Sequence, residues 1–355
     1  SDPSIPGAQV NVTGEMFIGP NAWVYPVSQP TNGGSVKFTV GSLDVNATGG
    51  FDATGRGFQG GAGWYSGSPA GYSDGYGPGH GGWVSGTPYQ VFSKGSGAGH
   101  GGLGVQNTPV YGLTYGDYTA PVQPGSGGAG GDARDRTGGN GGGVIWIDAT
   151  GTATVNGSLL ADGTSPAEQG GAGAGGSVFL TCDKIEGSGT LSAKSLTFNG
   201  GDRRSGGAGG RIAVIYNTAS QNAAPMPGLR FTASASASVE PTYAGVGSLY
   251  FPDNMFLTRG NVLKLSGAWM RNDFAGWNQA DLTLDNAWLD MVSGGTPVAL
   301  TGNLVVLGTN PNLSRLVLTN SPVAVGGNTL LDGGGLVLYP GATSAASMDV
   351  AVNLV

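Results

Sequence analysis

The sequence predicts an all-β chain, a right-handed parallel β-helix, and three observations carry that expectation. First, glycine pairs recur at a fixed interval: Gly142-Gly143, Gly175-Gly176 and Gly209-Gly210, 33 and 34 residues apart. Each pair opens a strand-like run: Val144-Ile145-Trp146-Ile147, Ser177-Val178-Phe179-Leu180 and Arg211-Ile212-Ala213-Val214-Ile215-Tyr216. A strand-built repeat of this length marks a solenoid, in which each coil buries its face on the next. Second, charged residues make up only 10% of the 355 positions, against about 25% in an average soluble domain. Glutamate and lysine, both good helix formers, are scarce. Third, each repeat offers two or three short strands separated by Gly, Asn and Asp turns. Strands this short cannot make a sandwich face alone, but they can align coil upon coil as parallel ladders. Handedness follows from the crossover rule for parallel strands.

The elements follow in chain order. The first unit runs from Gly33-Gly34 through Ser35–Val40, Leu43-Asp44-Val45 and Asp52-Ala53-Thr54-Gly55. The second continues from Val144–Ile147 to Ala153–Gly157 and Leu159–Gly163, and the third from Ser177–Leu180 to Lys184–Gly187 and Thr190–Ala193. Between the first two lies a glycine- and aromatic-rich insertion, about 55–141. A structureless loop of that length is improbable in a compact domain. It reads as packed extended segments, with glycines permitting close backbone approach or polyproline-II-like runs. After about Gln221 glycine thins, and Gly-Asn before apolar residues becomes the punctuation, at Gly260-Asn261, Gly302-Asn303 and Gly327-Asn328. The expected organisation is therefore a glycine-rich 1–220 portion carrying the insertion, then plainer coils over 221–355. Ser1-Asp2-Pro3 reads as a mature or trimmed start. Ala351–Val355 reads as a terminal strand, so the natural chain continues or that edge pairs with another chain.

A net charge of −7 with pI near 4.7 speaks against nucleic acid or an anionic membrane as the main partner. No apolar stretch approaches the roughly 18–20 residues of a membrane span. The single cysteine, Cys182, lies in a strand run and reads as a buried thiol.

Several of these strings together resemble a known type of module. They are Gly79-His80-Gly81-Gly82, Gly99-His100-Gly101-Gly102, Tyr115-Gly116-Asp117 with Pro121, Gly125-Ser126-Gly127-Gly128 and the Gly-Gly-led strands. Over about residues 33–265 the chain is similar to glycine-rich β-helical modules of large secreted or surface proteins. The resemblance implies a parallel β-helix in an extracellular or cell-surface setting with an adhesin-like role.

Three constellations could carry chemistry. His80 and His100, with Asp117 and other aspartates nearby in sequence, could hold a metal. The alternative is that both histidines bond neighbouring backbone in a loop-dense layer. No cofactor is expected; calcium is the ion that the aspartate excess would admit, although aspartate is equally a turn residue. Stacked repeats would bring Asp135, Glu168 and Arg203 to one corner, as the carboxylates and cation of a polysaccharide lyase or glycoside hydrolase. The alternative there is a solvated salt-bridge strip. Finally, Trp64, Tyr65, Tyr76, Trp83, Tyr89 and Tyr115 suit sugar recognition, where a flat ring meets the C–H face of a pyranose. They equally suit the filling of a loop layer. The expected function is an extracellular structural or adhesive surface protein, as a fibre or filament segment. Its aromatic loops would contact a polysaccharide, a cell-surface glycan or neighbouring subunits. A polysaccharide-degrading β-helix enzyme is the alternative.

Overall fold

The computed structural model of the chain describes residues 7–63, 73–82, 95–105, 111–131, 136–167, 170–196, 205–236, 244–258, 265–271, 278–285, 287–292, 298–308, 314–319, 322–339, 348–350 and 353–354. These residues are almost entirely strand, extended chain and turn. The chain divides into two compact units, Ser1–Phe251 and Pro252–Val355. Residues past the compositional shift at Gln221 therefore still belong to the first unit.

In that unit β1 (Ala8–Ile18), β2 (Trp23–Val24), β3 (Val36–Val45) and β4 (Gly50–Asp52) come first. Next come β5 (Val144–Ala149), β6 (Thr152–Val155) and β7 (Ser158–Leu160), then β8 (Ser177–Cys182), β9 (Lys184–Glu186) and β10 (Thr190–Ser192). The unit closes with β11 (Arg211–Tyr216), helix α1 (Thr218–Ala223), β12 (Arg230–Thr232) and β13 (Ser248–Tyr250). Every pairing among these strands is parallel, and the register follows the glycine-pair interval. Val144 lies opposite Ser177, and Ser177 opposite Arg211. One sheet runs β13-β11-β8-β5-β3-β6-β9 with β1 also on β3, and a second runs β12-β10-β7-β4-β2.

Alternation along the strands selects the core. Ile145, Val178, Ile212 and Leu249 form one rung, and Ile147, Leu180 and Val214 another. All seven are fully buried. Each such aliphatic side chain contributes about 1.5–3 kcal/mol by leaving water. The second sheet supplies the facing rung Phe51, Leu159, Leu191 and Phe231. Phe38 meets Phe51 edge-to-face, with ring centroids 5.4 Å apart. Where the β6–β9 ladder ends, the buried Gln221 of α1 takes the place of a further strand. Its Oε1 accepts from the Ile185 amide at 2.7 Å, and its Nε2 donates to the Ile185 carbonyl at 3.0 Å. Cys182 is half-buried rather than fully enclosed.

The glycine-rich runs pair by a different rule. The amides of Gly171 and Ala174 donate to the carbonyls of Ala129 and Ser126, and those of Ala172 and Gly175 to Ser205 and Ala208. The amides of Gly173 and Gly176 donate to Thr164 and Ala161. Partners thus repeat at every third residue, the period of a polyproline II helix, which has no internal hydrogen bonds and must pair outward. The run 138–142 behaves alike: Gly138 and Gly141 donate to Gly61 and Phe58, and Gly139 and Gly142 to Gly171 and Ala174. Described parts of the 55–141 insertion are woven into this layer, since Gly61 donates to Gly128 and Ala98 to Ala172. Glycine is required by space. A methyl group on Gly141 would overlap the carbonyl oxygen of Gly125, and one on Gly171 that of Ser96.

The second unit opens with α2 (Met255–Thr258) and then runs β14 (Leu265–Ser266), β15 (Ala268–Arg271), β16 (Asn278–Gln279) and β17 (Leu282–Asp285). It continues β18 (Trp288–Val292), β19 (Val298–Leu300), β20 (Leu304–Leu307), β21 (Arg315–Thr319), β22 (Val323–Val325) and β23 (Asn328–Asp332). The last strands are β24 (Gly335–Tyr339), β25 (Met348–Val350) and β26 (Asn353–Leu354). They form three parallel ladders: β24-β21-β18-β15, β16-β19-β22-β25 and β17-β20-β23-β26. Gly302-Asn303 and Gly327-Asn328 stand one above the other at strand starts, and Gly260-Asn261 lies outside the described residues. Asp281 Oδ1 accepts from the Asn303 amide at 2.6 Å, and Asn303 Oδ1 from the Asn328 amide at 2.9 Å.

Candidate functional site

On the first unit the strand faces turned away from the core carry a second rung, Lys37, Trp146, Phe179, Ala213 and Tyr250. The segment 115–124 lies over it. Gly116 sits at φ +77°, a left-handed conformation that favours glycine. Asp117 then closes a short turn, accepting at 2.8 Å from both the amide and the hydroxyl of Thr119. Pro121 and Pro124 restrict the far side, each fixing its φ near about −65°.

Several bonds hold this segment down. Ser177 Oγ donates to the Gln123 carbonyl at 2.6 Å. The Tyr115 hydroxyl donates to the Pro124 carbonyl at 2.5 Å and accepts from Ser126 Oγ at 2.9 Å. Burial disfavours the phenolate and raises the Tyr115 pKa, outweighing Ser126 and Arg211. Tyr118 meets Tyr250 edge-to-face at 5.8 Å. Arg211, only 5% exposed, reaches up from β11. Its Nε and Nη2 donate to the Tyr115 carbonyl at 3.0 and 2.7 Å, Nη2 also to the His100 carbonyl at 3.3 Å, and Nη1 to Ser248 Oγ at 3.0 Å.

Beneath the segment lies a cavity of about 360 Å³, lined by residues that include His100, Asp117, Gln123, Trp146, Phe179 and Arg211. Trp146 and Phe179 make its aromatic wall, with centroids 6.4 Å apart and planes inclined by 31°. Lys37 stands 5.0 Å from the Trp146 ring centroid and pairs with Asp148. His100 is fully buried and tilted against Tyr115 at 4.7 Å. Its Nδ1 lies 2.8 Å from the Gly175 carbonyl. Burial, helped by the Arg211 charge, lowers its pKa from 6.5 to about 3, so the ring is neutral at ordinary pH. Three buried polar atoms on the lining residues lack a protein partner: His100 Nε2, Gln123 Oε1 and Trp146 Nε1. Burial also lowers the Arg211 pKa, against the raising influence of Tyr115 and Asp117. At Asp117 burial works upward. The Thr119 amide and hydroxyl, the Ala120 amide and the Arg211 charge together outweigh it and leave the carboxyl lowered.

The residues expected from sequence fall in different places. His100 and Asp117 come together at the cavity, whereas His80 is not part of its lining. His80 Nδ1 lies 2.8 Å from the Gly77 carbonyl, its Nε2 3.9 Å from Asp74, and its ring 5.6 Å from Tyr111. Among the described residues no group of three His, Cys, Asp or Glu is gathered as a metal site. Tyr115 serves as a pin of the covering segment, and Tyr76 is 46% exposed elsewhere. Trp64, Tyr65, Trp83, Tyr89, Asp135, Glu168 and Arg203 lie outside the described residues.

Sequence reasoning missed Gln123, and it read Trp146, Phe179 and Arg211 only as strand residues. A signal for Arg211 was present. It is the one charge heading the three repeat strands, where the other units place Val144 and Ser177. Compared with protein-family models, curated proteins and solved structures, the chain has no match in any of the three.

Proposed function

We propose that this chain is an extracellular structural or adhesive surface protein, wound as a right-handed parallel β-helix, that contacts glycans through the cavity beneath 115–124. The observation that carries the reading is the make-up of that cavity: an aromatic wall from Trp146 and Phe179 among the polar side chains of His100, Asp117, Gln123 and Arg211. A sugar needs this combination, since its C–H face covers a ring while its hydroxyls pair at the edge. The parallel ladders and the right-handed crossover rule support the β-helical winding. Low charge and the interwoven glycine layer suit a durable external object.

The test is retention of the purified chain on a panel of immobilised polysaccharides, with released sugar assayed in the same samples. Retention without turnover is expected. Failure to bind any polysaccharide sinks the glycan contact. Turnover would move the weight to the lyase or hydrolase reading built on Asp135, Glu168 and Arg203.

A further inference from the structure

We infer that the Lys194 amine and the Asp162 carboxyl condense to an isopeptide bond, a covalent rung between two neighbouring repeats. The bond belongs to the scaffold and stands whether or not the cavity takes a glycan.

The strand ends bring the two groups together. Asp52, Leu160 and Ser192 lie opposite one another at the ends of β4, β7 and β10, and just beyond them Gly163 bridges Ser195 in parallel. Asp162 and Lys194 therefore stand side by side, although 32 residues separate them in sequence. Among the described residues Asp162 is the only acidic residue that is buried, at 5% exposure. Its Oδ1 accepts from Ser192 Oγ at 2.5 Å and from the Lys194 amide at 3.0 Å. Its Oδ2 faces Lys194 Nζ at 3.9 Å. That is too long for a hydrogen bond, so the carboxyl is buried without the close cation that a settled ion pair would give it. Lys194 is 39% exposed, and its flexible four-carbon stem leaves Nζ free to close on the carboxyl.

These contacts give each carboxyl oxygen a separate part. The two donors on Oδ1 stand where negative charge gathers when an amine adds to Cγ, as the donors of an oxyanion hole do. Oδ2 is left beside the nucleophile as the leaving oxygen. Burial, helped by the Asp52 charge, raises the carboxyl pKa against the pull of Ser192 and Lys194, which favours the neutral acid that condensation needs. A proton passes from the lysine ammonium to Oδ2, leaving a free amine and a carboxylic acid. The Nζ lone pair then forms the bond to Cγ, and the Cγ–Oδ2 bond breaks. Oδ2 departs as water with its own hydrogen and one from Nζ; the last amine hydrogen stays on the new amide. No oxidant or activating reagent is consumed. Proximity takes that place, since well-oriented neighbours reach effective molarities of roughly 10⁵–10⁸ M. The competing loss of water closes Asp162-Gly163 to a succinimide and needs the Gly163 nitrogen to attack Cγ. That amide is committed instead to the Lys194 carbonyl, at 2.9 Å.

Mass spectrometry of the full chain, incubated folded at pH 7 and then denatured, decides it. The parent chain is expected one water lighter than its sequence. Trypsin should leave 137–184 joined to 185–203, uncut after Lys194. Lys194→Arg keeps the positive charge at a half-exposed position and removes the nucleophile. It should show the full sequence mass and cleave after position 194. Asp162→Ala removes the electrophile and should likewise show the full mass. Circular dichroism establishes that each variant is folded; if Asp162→Ala is not, Lys194→Arg decides alone. A parent chain that stays at its full sequence mass would overturn the inference. So would a loss of water that persists in Lys194→Arg and is carried by 137–184 alone, since that product is the Asp162-Gly163 succinimide. Either result leaves the polysaccharide retention experiment, and the glycan reading it tests, untouched.

Discussion

His100 holds a buried imidazole neutral, and this makes stability depend on pH. Its folded pKa is lowered to about 3 from an ordinary 6.5. Between those values the unfolded chain binds a proton that the folded chain does not. The stabilisation is therefore present above pH 6.5 and is lost progressively as pH falls toward about 3. Urea denaturation at pH 7, 5 and 4 should show a falling midpoint, and His100→Asn should flatten the slope; an equal slope in both would assign it to other groups. At the same scale Gly141 and Gly14 make a matched pair. A methyl group at Gly141 overlaps the Gly125 carbonyl, whereas at Gly14 it meets nothing within 4 Å. Gly141→Ala should cost about 3 kcal/mol or more by overpacking, and Gly14→Ala within about 0.5 kcal/mol, both read from denaturant midpoints.

At the scale of elements, α1 matters for one side chain. Gln221 satisfies both backbone groups of Ile185 where the β6–β9 ladder ends. Gln221→Ala would strand a buried amide and a buried carbonyl, and should cost about 2–6 kcal/mol at roughly 1–3 kcal/mol per group. A midpoint indistinguishable from that of the parent would mean that water replaces both bonds. The strands themselves were legible in sequence because their spacing is local. The glycine pairs marked where each strand starts, and Val144, Ser177 and Arg211 stand in register as that spacing requires. Gly-Asn likewise marked the corner where Asp281, Asn303 and Asn328 bond in series. The role of Gln221 was not legible, since a lone glutamine does not announce which backbone groups it will meet.

For the whole molecule, legibility fell away at the candidate site. Its parts come from the insertion (His100, Gln123) and from successive paired strands (Trp146, Phe179, Arg211), and no sequence spacing ties the two sources. Aromatics were sought in the glycine-rich loops, whereas the ones on the cavity wall stand on the strands. Assembly is also decided at this scale. If subunits join end to end, sedimentation should show association that rises with concentration at pH 7, well above the pI near 4.7, where neutral-charge precipitation does not contribute. A single monomeric boundary at every concentration would remove the filament expected from sequence.

The three-way pairing of the glycine runs constrains how this protein can evolve. A strand that slips by two residues recovers its inward face. A run such as 171–176 sends successive amides to three different neighbours, so inserting one residue turns every later donor toward the wrong segment. Only a change in length by three restores the screw. Natural variants of these runs should therefore lengthen and shorten in triplets, a genetic rhythm of three where a pleated sheet imposes one of two.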